Sequence, residues 1–193
     1  MIKLLISILV RIAKKQHSRL YRLSSLIFTI GLIFVFFPFL YLYTGRYIEN
    51  IIQLPTTSLS INFMAIVFLL MGGILIIWTL ILQYGYGKGS GSHMAAPQKL
   101  IVIGPYKLCR HPMLLGAIFF YFGTGTLQGS IIIGLYGAII TAVLAYFFVL
   151  YIEEPVLIAR FGEQYKKYQK EVPLIPFLLT SFNYCNRKHK SHN

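Results

Sequence analysis

The sequence predicts an all-α integral membrane protein: about four transmembrane helices, an N-terminal interfacial helix and a C-terminal cytosolic amphipathic helix. Two observations carry this. The 193 residues are 56% hydrophobic and 12% charged, whereas soluble domains carry about 25% charged residues. The apolar residues also fall into uncharged runs long enough to cross a bilayer. The 18 Lys and Arg against five acids make anionic lipid headgroups, rather than nucleic acid, the expected neighbour. Cys109 and Cys185 are the only cysteines, and nothing points to a disulfide framework or a metal site.

One membrane domain is expected over residues 1–193. Residues 1–84 hold the interfacial helix and two spans, 85–177 a cofactor-binding region with a helical hairpin, and 178–193 a basic tail. Residues Met1 to Arg22 run from an apolar stretch into a basic one, the reverse of a secretory signal. An interfacial helix fits that order better than a short span. Ser24 to Thr44 is uncharged over about 31 Å of helix. Pro38 should kink it, and Tyr41, Tyr43 and Tyr47 should form an interface belt. Ile61 to Tyr84 is the second span. Its Gly72-Gly73 pair either admits a neighbouring helix or faces lipid.

Gly85 to Ile103 is polar, with glycines at 85, 87, 89 and 91. Those glycines either bring backbone N–H groups to a ligand or form a flexible linker. Lys99 to Ile103 is β-branched and should be extended. Met113 to Gln128 is a short apolar run of about 24 Å, and Ser130 to Ile152 is a full span of about 34 Å. The short Gly129-Ser130 link makes them an antiparallel hairpin. Gly125, Gly129, Gly134 and Gly137 mark close helix contact near its turn. From Glu154-Pro155 an amphipathic helix should run to about Lys170, with Phe161, Tyr165 and Tyr168 on one face.

The basic residues set the sidedness. Seventeen of the 18 Lys and Arg lie in segments expected on one side, and Arg46 alone lies on the other. Both termini, the Gly-rich loop, Arg110-His111-Pro112 and Glu153-Glu154 are therefore expected in the cytosol. A prokaryotic inner membrane is the expected location.

Two places on that side attract attention. Glu153-Glu154 puts two of the five acids side by side at a membrane exit. Adjacent carboxylates repel unless neutralised; a cation, a sulfonium or donors from a ribose and an amino group would do so, and a plain polar stop signal is the alternative. His111 lies across the hairpin. Pro112 should push it out of the helical region and open the next helix, aiming it at the loop. Arg110 either pairs with a ligand carboxylate or anchors the interface. Cys109 reads as a structural residue.

Gly104-Pro105-Tyr106, Arg110-His111-Pro112-Met113 with Gly116, a hydrophobic hairpin and Glu153-Glu154 together resemble the isoprenylcysteine carboxyl methyltransferase and phospholipid methyltransferase superfamily. Gly87-Lys88-Gly89 upstream, and Phe161-Gly162-Glu163-Gln164-Tyr165, Tyr168, Val172-Pro173 and Ile175-Pro176 downstream, extend the resemblance to about half the chain. It implies S-adenosylmethionine as methyl donor, a lipophilic membrane-embedded acceptor entering from the bilayer, and no metal. It implies cofactor contacts from Gly87, Gly89, Tyr106, Arg110, His111, Pro112, Glu153 and Glu154. An amine acceptor must also lose a proton, and His111 and Glu154 are the expected catalytic residues. The family's usual Tyr two residues after the proline is Leu114 here. An NADPH-dependent membrane reductase of sterol-reductase type and a non-catalytic membrane scaffold are the competing classes; cofactor binding separates all three.

Overall fold

The computed structural model describes residues 6–11, 18–52, 59–89 and 96–175. All regular structure among them is helical. Residues 6–11 form a short helical piece; residues 1–5 and 12–17 of the expected interfacial segment, Gly91, Pro176 and the basic tail lie outside the described residues, while Arg19–Arg22 at its end begin the first long helix instead. Helix α1 (Arg19–Gly31) passes through a π-helical turn (Leu32–Phe36) into α2 (Phe37–Ile52). Helix α3 is Leu59–Gly85, and α4 (Pro112–Leu127) and α5 (Ile131–Phe148) form the hairpin. A second π-helical turn (Val149–Glu153) leads into α6 (Glu154–Phe161), and α7 is Glu163–Glu171.

Three helical stretches are long and apolar enough to cross a membrane: Arg19–Tyr47, Asn62–Gly85 and Ile131–Phe161. Helix α4, with 16 residues, covers about 24 Å, less than the ~30 Å hydrocarbon core. The outward faces of its neighbours are apolar: Phe39, Phe63 and Leu144 are 71%, 73% and 66% exposed. A surface like this matches lipid rather than water.

Both π-helical turns end two residues before a proline, Pro38 and Pro155. Proline has no N–H to give and its ring crowds the carbonyl four residues back. The chain widens by one residue per turn instead of breaking. In the first turn the carbonyl of Ile33 accepts a hydrogen bond from Tyr121 Oη at 3.0 Å. Tyr41 Oη in turn donates to the Tyr121 carbonyl at 2.9 Å and meets Thr124 Oγ1. These bonds satisfy polar groups inside the bilayer, where water cannot. Tyr43 and Tyr47 are 71% and 68% exposed, as an interface belt requires, whereas Tyr41 is buried between helices because it faces Gly137.

Helix α4 is held closely against both neighbours. A Cβ added at Gly72 would lie 2.4 Å from the Phe120 nitrogen, and at Gly123 2.5 Å from the Leu69 nitrogen. Gly125 and Gly134 pack equally closely across the hairpin. Small residues bring backbones together where no hydrophobic force acts between helices. Gly73, on the next face of α3, has open space and its nearest neighbour at 3.9 Å. The hairpin turns at Gly129, whose φ of +94° suits only glycine.

Two expectations are corrected. The helix expected from Glu154 to Lys170 is broken at Gly162, which stands at φ 53°, ψ −128°, a region open to glycine alone. Glu153 and Glu154 also do not end a helix: the last span runs on through them into α6. Lys99–Ile103 pairs with no strand among the described residues; Ile103 is extended, at φ −116°, ψ 163°, and leads into a 3₁₀ turn at Gly104–Lys107.

Gly72→Ala is expected to lower stability by about 1–3 kcal/mol, since the obstructing atoms are backbone, while Gly73→Ala should leave it unchanged or slightly raised. Unfolding midpoints in mixed micelles would check this; equal effects at both positions would disprove the packing assigned to Gly72.

Candidate functional site

Pro112 opens α4 with its missing N–H at a position that needs none, and it holds His111 outside the helix at φ −124°, ψ 63°. The preceding residue, Arg110, donates its backbone N–H to the Pro173 carbonyl at 2.9 Å. The chain beyond α7 therefore returns to the base of the hairpin. Leu174 packs there with Leu114 and Val149. Leu114 thus serves as an apolar contact.

The carboxylate of Glu154 is the centre of the site. Arg110 Nη1 donates to its two oxygens at 2.8 and 2.7 Å. His111 Nε2 lies 2.9 Å from Oε1, Tyr165 Oη donates to Oε1 at 2.8 Å, and Gln169 Nε2 donates to Oε2. Glu154 is 7% exposed and His111 6%. The repulsion expected between the two glutamates is thus relieved by the chain's own donors. Glu153 differs: its side chain is 32% exposed and lies 3.5 Å from His111 Nδ1. Both imidazole nitrogens accordingly face carboxylates. His111 does not point into an open loop; it is enclosed between loop and helix.

Burial alone would lower the His111 pKa, but the charge and hydrogen bond of Glu153, reinforced by Glu154, outweigh it and raise it to about 9. The ring is an imidazolium at neutral pH. Burial pushes the Cys109 thiol up to about 11, which keeps it an unreactive thiol. The Tyr165 phenol is pushed up by burial and by the Glu154 charge, and so remains a neutral donor.

The other expected site residues join through side chains on α3 and α7. Tyr168 Oη donates to the Tyr106 carbonyl at 2.5 Å, and Gln83 Nε2 donates to Tyr106 Oη at 2.7 Å. Gly89 N–H donates to the Gln83 carbonyl at 2.8 Å and Gly87 N–H to the Leu82 carbonyl at 3.0 Å. Both glycine amides are therefore spent within the chain. A Cβ at Gly87 would meet Gln83 O at 2.8 Å and Pro97 Cβ at 2.9 Å, so close packing of the loop explains that glycine. Arg22 reaches the Tyr84 and Gly89 carbonyls and stacks 4.6 Å over the Tyr84 ring, fastening the start of α1 at the same end. Arg46 instead binds Gln128 beside the hairpin turn, so the one basic residue expected on the opposite side is at the opposite end.

Gln83, Tyr165, Tyr168 and Gln169 were not among the expected site residues. The helical spacing of Phe161, Tyr165 and Tyr168 marked them as sharing one face, but nothing local tied that face to Glu154 across the break at Gly162. Among the described residues no group of three or more His, Cys, Asp or Glu gathers as a metal site.

Two outcomes follow from this geometry. Glu154→Gln would leave Arg110 and His111 buried without their counter-charge, at a cost of about 3–5 kcal/mol, while Glu153→Gln, partly solvated, should cost about 1 kcal/mol or less. Unfolding midpoints of the two variants test this; equal losses would contradict it. The raised His111 pKa also sets a pH window. Its stabilisation is complete below the ordinary value of 6.5 and is lost as pH rises through about 9. Thermal midpoints from pH 6 to 10 should fall across that window in the wild type and flatten in His111→Gln.

The sequence profile of the phospholipid methyltransferase family matches residues 60–164, more than half of the chain. No curated protein and no solved structure matches it. The matched segment contains α4, α5, the arginine–histidine pair and both glutamates. The chain therefore belongs to the phospholipid methyltransferase family, a family of membrane-bound methyltransferases, within the superfamily that Arg110-His111-Pro112 and Glu153-Glu154 resemble.

Proposed function

We propose that this protein is an S-adenosylmethionine-dependent methyltransferase acting on a lipophilic acceptor within the bilayer, of the isoprenylcysteine carboxylate or phospholipid amine type. The observation that carries the reading is the buried Arg110–His111–Glu153–Glu154 cluster at a membrane exit, in a chain of a methyltransferase family. The proposed location is a prokaryotic inner membrane with the site in the cytosol, a sidedness that the excess of basic residues at this end supports.

The residues fit that cofactor. S-adenosylmethionine offers a carboxylate, an ammonium, a sulfonium and ribose hydroxyls. Arg110 Nε is buried with no hydrogen-bond partner, a donor suited to a carboxylate. Glu153 keeps its carboxylate partly exposed beside His111, and a carboxylate has about four acceptor sites, enough for an ammonium or ribose hydroxyls as well. Gly87, Gly89, Tyr106 and Pro112 hold the loop and helix start around this pair, and Glu154 fixes Arg110 and His111 in position.

When bound, S-adenosylmethionine supplies a methyl group already activated on a sulfonium. The protein's part is to orient and to exclude water. Arg110 and Glu153 bind and orient; Leu114, Val149 and Leu174 close the adjacent wall with apolar surface. His111, as an imidazolium, holds Glu153 through Nδ1 and Glu154 through Nε2. For an amine acceptor the exposed Glu153 carboxylate, rather than the already protonated His111, is the group available to take a proton. A carboxylate acceptor needs no such step.

Equilibrium binding in lipid nanodiscs tests the reading. Saturable S-adenosylmethionine binding is expected, about tenfold or more weaker in Glu153→Gln at an unchanged thermal midpoint. Binding of NADPH alone would make the protein a reductase, and binding of neither by folded protein would make it a scaffold.

A further inference from the structure

Beside the site, and meeting it at Tyr168, the loop before α4 and the end of α7 border an open cleft of about 370 Å³. That is within the ~300–1,000 Å³ range of small-molecule sites. The loop side contributes Leu100, Val102 and Lys107, and the side of α7 contributes Lys167, Glu171 and Val172. Its level in the membrane follows from its neighbours. Leu174, two residues after Val172, packs on Leu114 in the first turn of α4 and on Val149 just past the end of α5. The cleft therefore opens where the hairpin leaves the bilayer. The adjoining Leu108 is 70% exposed and Val102 is 40% exposed, apolar surface that has lipid rather than water to face.

The charges of the cleft are uncompensated. Among the described residues neither Lys107 nor Lys167 takes part in an ion pair, whereas Lys166 is paired with Glu163. Two lysines against one glutamate leave the cleft with a single positive charge. It matches a ligand of one negative charge with an apolar body. Glu171 could accept from the hydroxyls of a polyol headgroup, and it disfavours a ligand with further negative charge.

We propose that this cleft binds the headgroup of an anionic phospholipid of the surrounding bilayer, with phosphate between Lys107 and Lys167 and the acyl chains along Leu100 and Val102. Basic residues near a membrane surface attract anionic lipid, and the cleft makes that attraction local and stoichiometric. Tyr168 on its inner wall donates to the Tyr106 carbonyl, and the next residue, Gln169, holds Glu154. A lipid seated here therefore braces the helix that completes the glutamate cluster. The proposal does not rest on the methyl-transfer reading.

The test uses the full-length protein in neutral detergent, titrated with phosphatidylglycerol or phosphatidylcholine, with bound lipid counted by native mass spectrometry. One phosphatidylglycerol should be retained at about fivefold or more lower concentration than phosphatidylcholine. Lys107→Gln with Lys167→Gln should bring the ratio near one, and Lys167→Gln alone should lower it. Lys99→Gln with Lys170→Gln removes the same charge outside the cleft and should preserve the ratio. Equal retention in the two double variants, or no preference in the wild type, would overturn the proposal. So would displacement of the lipid by millimolar glycerol phosphate, which would make the site one for free phosphates. Thermal midpoints verify folding, and S-adenosylmethionine binding in the same preparations reports on the methyltransferase reading independently.

Discussion

The carboxylate of Glu154 is the interaction on which this end of the molecule depends. Its partners come from the loop before the hairpin, Arg110 and His111, and from the helix after the last span, Tyr165 and Gln169. No apolar contact alone would fix the orientation of so short a helix as α7, whose outer face is mostly lysine and glutamine. A buried anion with this many donors is stabilising because all are present at once; removal of any one leaves charge without compensation. The cluster therefore makes loop, hairpin and α7 one unit, with Glu153 held by the same histidine.

How Glu154 comes to face the hairpin is a matter of helical register. Val149 packs on Leu114 and Leu174, and Glu154, five residues on, binds Arg110 and His111. In a regular α-helix residues five apart point about 140° away from each other. In the π-helical turn Val149–Glu153 they share a face. Pro155, which has no N–H to keep the α-helical ladder, accounts for the turn. One proline thus lets an apolar contact and a buried anion act on the same neighbouring helix. Pro38 does the corresponding work in the first span, where the widened turn lets Tyr121 reach the Ile33 carbonyl.

Hydropathy and charge sufficed for the helical membrane class, the hairpin and the gathering of basic residues at one end, because each is a property of long runs. Pro112 was readable as a helix start for a local reason, its fixed φ and missing N–H. What escaped depended on distance or on which face a residue occupies. Gly72 and Gly73 are identical in sequence terms, yet only the first meets another backbone. Tyr41 differs from Tyr43 and Tyr47 only by facing Gly137. Gln169 reaches Glu154 only because Gly162 turns the chain at a positive φ, and helical periodicity carries no information across such a break.

The closed state of Glu154 bears on how the paired glutamates are understood. Side by side in sequence, they invite the same role. In the fold they are in unlike surroundings, one nearly sealed and fully hydrogen-bonded, the other a third exposed and beside the outer nitrogen of His111. Two groups of one kind placed in different environments are the usual means of dividing structural from chemical work. Here the division follows from the helix itself: residues one apart point about 100° away from each other, so a helix that buries one glutamate against α4 must turn the other toward the opening. Charge on Glu154 organises this end of the protein, and in the proposed function charge on Glu153 is what a cationic ligand would meet.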